Sequence, residues 1–315
     1  MNENDFLRHL ARRYPSSDLV PIGIGDDGAV LETRTSSQVI VTDLLLDGVH
    51  FELSSISPRL AGRKAMAVNL SDLAAMGARP IAAFVSVAVP HHVPVGLSVA
   101  DFLNELYLGF DELTSRYGFT IAGGDTNSWS GPFAVNVCLV GVPFSKQAGC
   151  FLRSTAKVGD ILAVSGSLGG SLRSGRHLLF EPQLRLAEWL SRQDGIHAAM
   201  DLSDGLSTDL LRMMEASGVS AEILGDRIPV HPDVSATSPP SKRLQAALGD
   251  GEDFELLISV DSTRAEALFA KAAHDGFSLT PIGRVVSGST STLVEADGVR
   301  TKLVSTGWQH SLSSL

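Results

Sequence analysis

The sequence predicts a two-domain chain, an α/β or α+β unit followed by a second domain of mixed strands and helices, and three observations carry this. Its 315 residues exceed the roughly 100 to 200 residues that one hydrophobic core usually organises. Strand and helix signals alternate through the first half. Residues 143–160 (PFSKQAGCFLRSTAKVGD) lose periodicity and gather Pro, Gly, Ser and Lys, the composition of a linker, so the domains are expected at 1–145 and 146–315.

The elements follow in order. Residues 38–43 (QVIVTD) form a short β-branched apolar run, a buried strand, and 59–76 (RLAGRKAMAVNLSDLAAM) carry apolar positions at helical spacing. Gly77 and Pro80 end that helix. A strand is expected at 81–89, a helix at 101–117, a strand at 118–122, a turn at GGDT and a strand at 133–141. The second half starts with a strand at 161–165 and a small-residue loop, SGSLGGS. A helix at 182–193, a turn-to-helix segment AAMDLSDGLSTDLLRMMEASG and a softer Pro- and Ser-rich stretch near 229–242 come next. DGEDFELLISV leads into a strand, then a helix near 262–275 and a strand ending in IGRV. No short repeat or low-complexity tract interrupts the chain.

Composition narrows the function. With 44% hydrophobic and 19% charged residues the chain is globular. Acids outnumber bases 35 to 25, a net charge of −10, so the summed field repels phosphate backbones and argues against a nucleic-acid partner. Any phosphate it binds must arrive with cations. No apolar run reaches the roughly 18 residues of a membrane span, and the N-terminal segment MNENDFLRHLARRYPSS has no apolar signal core, so no membrane partner and a cytoplasmic location are expected. Cys138 and Cys150, unclustered, make neither a zinc site nor a disulfide framework.

GIGDDG at 23–28 satisfies G-x-G-x-x-G in letter, yet Asp26 and Asp27 would repel a bare pyrophosphate and no long helix follows, which removes the dinucleotide reading. A P-loop is absent from the sequence. What remains is a recurrence of acids where strands end or helices begin: Asp26-Asp27, Asp43, Asp72, Asp125, and Asp201 with Asp204. Carboxylates are the ligands Mg²⁺ prefers, alongside waters and phosphate oxygens. Any one of them could instead be a helix N-cap or turn residue, and Ser203 or Asp204 could cap the helix beginning near Leu206. Asp72 is harder to explain that way, because it lies inside an apolar helix with Asn69 on the same face. His50 reads as a structural or a ligand-binding histidine, Glu252 and Asp253 as turn acids or site residues, Trp308 as a core cap or a stacking platform, and Arg153 as solvated surface or a phosphate clamp.

Taken in order, GIGDDGAVL, TDLLLDGVHF, KAMAVNLSDLAAMGARP, GGDT, Arg153-Ser154, DLSDGLSTDL and GEDFEL resemble the thiamine-monophosphate kinases, members of the aminoimidazole ribonucleotide synthetase-like ATP-binding superfamily. The resemblance spans nearly the whole chain. It implies an N-terminal α/β domain that forms the interface of a homodimer, a C-terminal α+β domain, and ATP-dependent phosphorylation of thiamine monophosphate to thiamine diphosphate with several Mg²⁺ ions. Carried over position by position, it implies metal ligands at Asp27, Thr42, Asp43, Asp72, Asp125, Asp201 and Asp204, with Asp43, Asp72, Asp125 and Asp204 as the catalytic acids. ATP would contact Gly124, Asp125, Arg153, Ser203 and Tyr107, and thiamine monophosphate would face His50, Glu252 and Trp308. The expected chemistry is direct in-line transfer without a general base or a phosphoenzyme, since phosphoryl transfer needs positioning and charge neutralisation above all. The chain departs from its relatives at Val41, where a metal contact would have to use the backbone carbonyl, and at Gly170, often Asp elsewhere. The rival readings are a carbonyl-activating relative such as aminoimidazole ribonucleotide synthetase, and a nucleotide-binding scaffold without turnover.

Overall fold

The computed structural model describes residues 21–22, 25–32, 37–93, 96–145, 147 and 149–309; the N-terminal segment and Gly23-Ile24 of the first acidic loop lie outside them. Strands β1 (Ala29–Glu32), β2 (Ser37–Leu46), β3 (Ala78–Pro90), β4 (Thr120–Trp129) and β5 (Ala134–Pro143) build the first sheet, in the order β1-β2-β5-β3-β4. Only the β3–β4 pair is parallel. β2 alternates: Val39, Val41 and Leu45 are buried, whereas Thr42 and Leu44 point outward, because one face of the sheet is covered and the other is not.

The covering layer is helix α1 (Pro58–Ala75) with α2 (Val99–Tyr117) behind it. Ser57 starts α1 by accepting from the Leu60 N–H, with Pro58 preset for the first turn. Its residues are small or apolar almost all round and nearly all are buried, the pattern of a helix enclosed on every side rather than laid on a surface. α1 and α2 touch at Gly62 and Gly109, where a Cβ would lie 2.2 Å from the Leu106 oxygen and 2.0 Å from the Arg59 oxygen respectively.

The second sheet has the order β12-β11-β8-β10-β6-β9-β7. Its strands are β6 (Ile161–Val164), β7 (Ile196–Asp201), β8 (Ser220–Leu224), β9 (Leu256–Val260), β10 (Thr280–Val286), β11 (Thr292–Val294) and β12 (Arg300–Lys302). Between them run α3 (Ser171–Ser174), α4 (Leu184–Leu190), α5 (Leu206–Ser217), α6 (Pro240–Gly249) and α7 (Ala265–His274). Ala163, Ala199 and Ile258 face a core shared with α1 and the first sheet. Their alternates Leu162, Ala198, Met200 and Leu257 face a separate core with α5. The long helix α1 therefore lies between the two sheets.

The architecture of an α/β half followed by an α+β half is as expected, with local differences. GGDT is not a turn: residues 123–126 continue β4, paired with β3. Gly124 is required there because a Cβ would sit 1.8 Å from the Val85 oxygen, so a glycine pair that signals a turn marks instead a close backbone approach. AAMD belongs to β7 rather than to a turn, helix 182–193 shortens to α4, and the soft stretch hides α6, which Pro240 opens at its first turn. The short pair β11–β12 carries no periodicity long enough to read.

Candidate active site

One stripe of α1 supplies Lys64, Val68 and Asp72, successive turns of the helix that together line a cleft of about 280 Å³ between the two halves of the chain. The cleft is completed by Asp43 from β2, Asp201 from the end of β7, Ser203 and Asp204 from the loop after it, His50, Glu252 and Trp308. Asp27 comes in from the first loop: carboxylate oxygens of Asp27, Asp72 and Asp201 lie within 4.8 Å of one another. Burial raises Asp43, Asp72 and Asp201, and neighbouring acids sharpen the effect. Asp43 is pushed up to about 6 by burial, and by Asp27 and Asp204 against a hydrogen bond with Asp72. Asp72 and Asp201 stand well above the usual carboxylate range, through burial first and then the surrounding acids. Such a concentration of buried negative charge calls for cations. Arg153 offsets part of it, donating from Nε to Asp27 Oδ2 at 2.8 Å and lying 3.9 Å from Asp26 Oδ1, while Ser71 Oγ donates to Asp201 Oδ2 at 2.8 Å.

The DLSDG loop is fixed from three sides. The cap of α5 is Gly205, with no side chain of Ser203 or Asp204 in that role. Instead Asp209, buried in the first turn, accepts from the Asp204 and Gly205 N–H groups at 3.0 and 3.1 Å, and Arg212 bridges Asp209 and Asp204. The C-terminal tail then docks on the loop, Trp308 N–H donating to the Asp204 carbonyl at 3.0 Å. At Gly307 a Cβ would meet that same oxygen at 2.0 Å. Trp308 consequently lines the cleft with its ring half exposed rather than capping the core.

On the opposite wall, His50 Nδ1 accepts from the Leu46 N–H at 3.0 Å, which leaves the proton of the neutral ring on Nε2. Glu252 sits at a backbone φ of +53°. Burial would raise its carboxyl, yet hydrogen bonds from His177 and Lys64 and the Lys64 charge hold it below the ordinary value.

Not every expected residue converges. Thr42 points its hydroxyl to the other face of β2, donating to the Val137 carbonyl and accepting from Asn136. The strand register sets Asp125 beside Ser86, Asn136 and Leu44 on that same outer face, whereas Asp43 aligns with Val137, Val85 and Gly124. Asp125 binds its own neighbours, the Thr126 N–H and Asn127 Nδ2, and joins the acid cluster no more than the Thr42 hydroxyl does. Tyr107 packs edge-on against Phe110 within the helical layer, outside the cleft lining.

Two family models match the chain, AIR synthase related protein N-terminal domain over residues 25–142 and its C-terminal domain over 161–295. The thiamine-monophosphate kinase of Rhodopirellula baltica is 39% identical over 90% of this chain and 89% of its own length, and that of Bacillus subtilis 33% over 98% and 99%. The chain belongs to the thiamine-monophosphate kinase family. Among solved structures it is similar to AaThiL complexed with AMPPCP and TMP, with a TM-score of 0.81 at 28% identity, covering 98% of this chain and 97% of that one. The thiamine-monophosphate kinase of Stenotrophomonas maltophilia matches with a TM-score of 0.72 at 30% identity over 93% and 95%. The hydrogenase maturation protein HypE of Escherichia coli shares the fold, with a TM-score of 0.69 at 20% identity.

Reading motifs alone missed site residues that this kinase fold brings in. Lys64 and His177 are buried against Glu252, and Asp209 organises the DLSDG loop. Lys64 did carry a signal, a charge one turn before Val68 and two before Asp72 on a helix otherwise apolar; His177 carried none.

Proposed function

We propose that the chain transfers the γ-phosphoryl group of ATP to the phosphate of thiamine monophosphate, forming thiamine diphosphate and ADP. The observation that carries this is the meeting, in one cleft, of a buried acid cluster with His50, Glu252 and Trp308, in a member of the thiamine-monophosphate kinase family. Asp27, Asp43, Asp72, Asp201 and Asp204 fit Mg²⁺: all are hard oxygen donors, and burial with the neighbouring acids raises Asp43, Asp72 and Asp201, a penalty that a bound cation would relieve. Mg²⁺ held there would neutralise charge on the two phosphates. Ser203, at the base of the acid loop, and Arg153 beside it would contact ATP. His50, Glu252 and Trp308 would orient the acceptor, the half-exposed indole offering a stacking face for a cationic ring. The attacking atom is already an ionised phosphate oxygen, so no side chain needs to remove a proton, and transfer is in-line without a phosphoenzyme.

The reading extends to assembly and place. The outer face of the first sheet leaves Leu44 at 54% and Phe84 at 43% exposed, an apolar patch suited to a second copy; Thr42, Gly124 and Asp125 lie in the strands of that sheet. A homodimer in solution that Phe84→Asp dissociates supports this, and a monomeric wild type in sedimentation overturns it. The two matched family regions support a domain boundary near residue 145, and use of ATP supports a cytoplasmic site of action. The deciding assay is incubation with ATP, Mg²⁺ and thiamine monophosphate, resolved by chromatography. Thiamine diphosphate formed from the monophosphate and not from thiamine is the expected result. ADP release without it, or a trapped phosphoprotein, overturns the reaction or its mechanism.

A further inference from the structure

Lys64 is an anomaly in the helix that fills the molecule. It is fully buried, and burial pulls its ammonium below the ordinary lysine value against the opposing charge of Glu252. Four polar atoms surround the ammonium within hydrogen-bond distance: the His50 carbonyl at 2.6 Å, both carboxylate oxygens of Glu252 at 2.7 Å and His177 Nδ1 at 2.9 Å. His177 Nδ1 also lies 2.9 Å from Glu252 Oε2, so Lys64, His177 and Glu252 form one buried polar triad.

The two elements joined by this ammonium come from opposite halves of the chain. His50 follows β2 in the first half, and Glu252 follows α6 in the second. Glu252 and Phe254 are the non-glycine residues with positive φ among those described, +53° and +52°. A side-chain-bearing residue persists in that region only when its surroundings over-determine it. Here the Glu252 N–H donates to the Ser203 carbonyl at 2.6 Å, and Lys64 and His177 hold the carboxylate.

We propose that Lys64, aided by His177, is the positioning residue of the acceptor site. It sets the distance between His50 and Glu252 across the cleft and keeps Glu252 a fixed anion facing the acceptor. The inference rests on the kinase reading, and its residue acts through Glu252 rather than on the phosphates. Lys64 makes no contact with the acid cluster through any of its three protons, so its removal is felt by the acceptor and not by ATP.

The test is steady-state kinetics of Lys64→Met, Glu252→Gln and the double variant, with thiamine monophosphate and ATP varied separately. Lys64→Met raises the KM for thiamine monophosphate at least about tenfold, the scale of losing a charge-assisted hydrogen bond, while the KM for ATP stays within about twofold. In the Glu252→Gln background the same substitution adds little, because its target is already gone. Should Lys64→Met fail to fold through the unpaired carboxylate it leaves, the double variant removes that charge, and its acceptor KM matches that of Glu252→Gln. Equal rises in both KM values, or a further large loss in the double variant, overturn the positioning role while leaving the kinase reading intact. A wild type that forms no thiamine diphosphate overturns both.

Discussion

Asp72 shows how far one residue can be read. Its place inside an apolar helix already marks it as an acid that needs a partner, and folding brings it to Asp27 and Asp201 with its carboxyl well above the ordinary range. Its ionised form is thus unfavourable to the metal-free fold, and a bound cation would offset that. Asp72→Asn is therefore expected to raise the melting temperature of the metal-free protein while lowering turnover at least about a hundredfold, as losing a group that stabilises transition-state charge does. A variant that keeps wild-type turnover with unchanged melting removes Asp72 from the site. Trp308 and Lys64 mark the limits of such reading. The use of Trp308 depends on a tail anchored to the Asp204 carbonyl, and that of Lys64 on a glutamate 188 positions away. Neither distance is encoded near the residue itself.

At the scale of elements, α1 is legible because its spacing and its Ser57-Pro58 start are local properties. The course of β4 is not, since the GGDT glycines look the same in a turn and in a strand pressed against β3. The α1–α2 crossing yields a prediction of its own. In an exposed helix Gly→Ala would gain about 1 kcal/mol of propensity. At Gly62 the added methyl would lie 2.2 Å from the Leu106 carbonyl oxygen, so the helices must part, at about 1–3 kcal/mol of overpacking. The clash outweighs the propensity, and Gly62→Ala should lower the midpoint of urea unfolding. An unchanged or higher midpoint would mean that the two helices give way more easily than close packing allows.

For the whole molecule, the acids couple stability to pH and to metal. Asp43 stands at about 6, and Asp72 and Asp201 well above 3.8. As pH rises from 3.8, the unfolded chain releases these protons first and the native state holds more of them. Metal-free stability then falls as pH rises from about 3.8 through about 6, where native Asp43 itself ionises, with Asp72 and Asp201 adding to the fall in the same direction. Mg²⁺ held by these acids would take the ionised form, so the rise in melting temperature on adding it is expected to be larger near pH 8 than near pH 5. A rise independent of pH would place the ion elsewhere. The sequence by itself determined the α/β-then-α+β order, the family, and a set of candidate acids, because these reside in local periodicity and in contiguous motifs. Only the tertiary structure decided which of those acids meet. Strand pleating sends Asp43 inward and Thr42 outward from adjacent positions, and β-sheet register sets Asp125 on the outer face. Packing of the second sheet against α1 carries Glu252 and His177 to Lys64, a juxtaposition that depends on contacts between segments far apart in the chain.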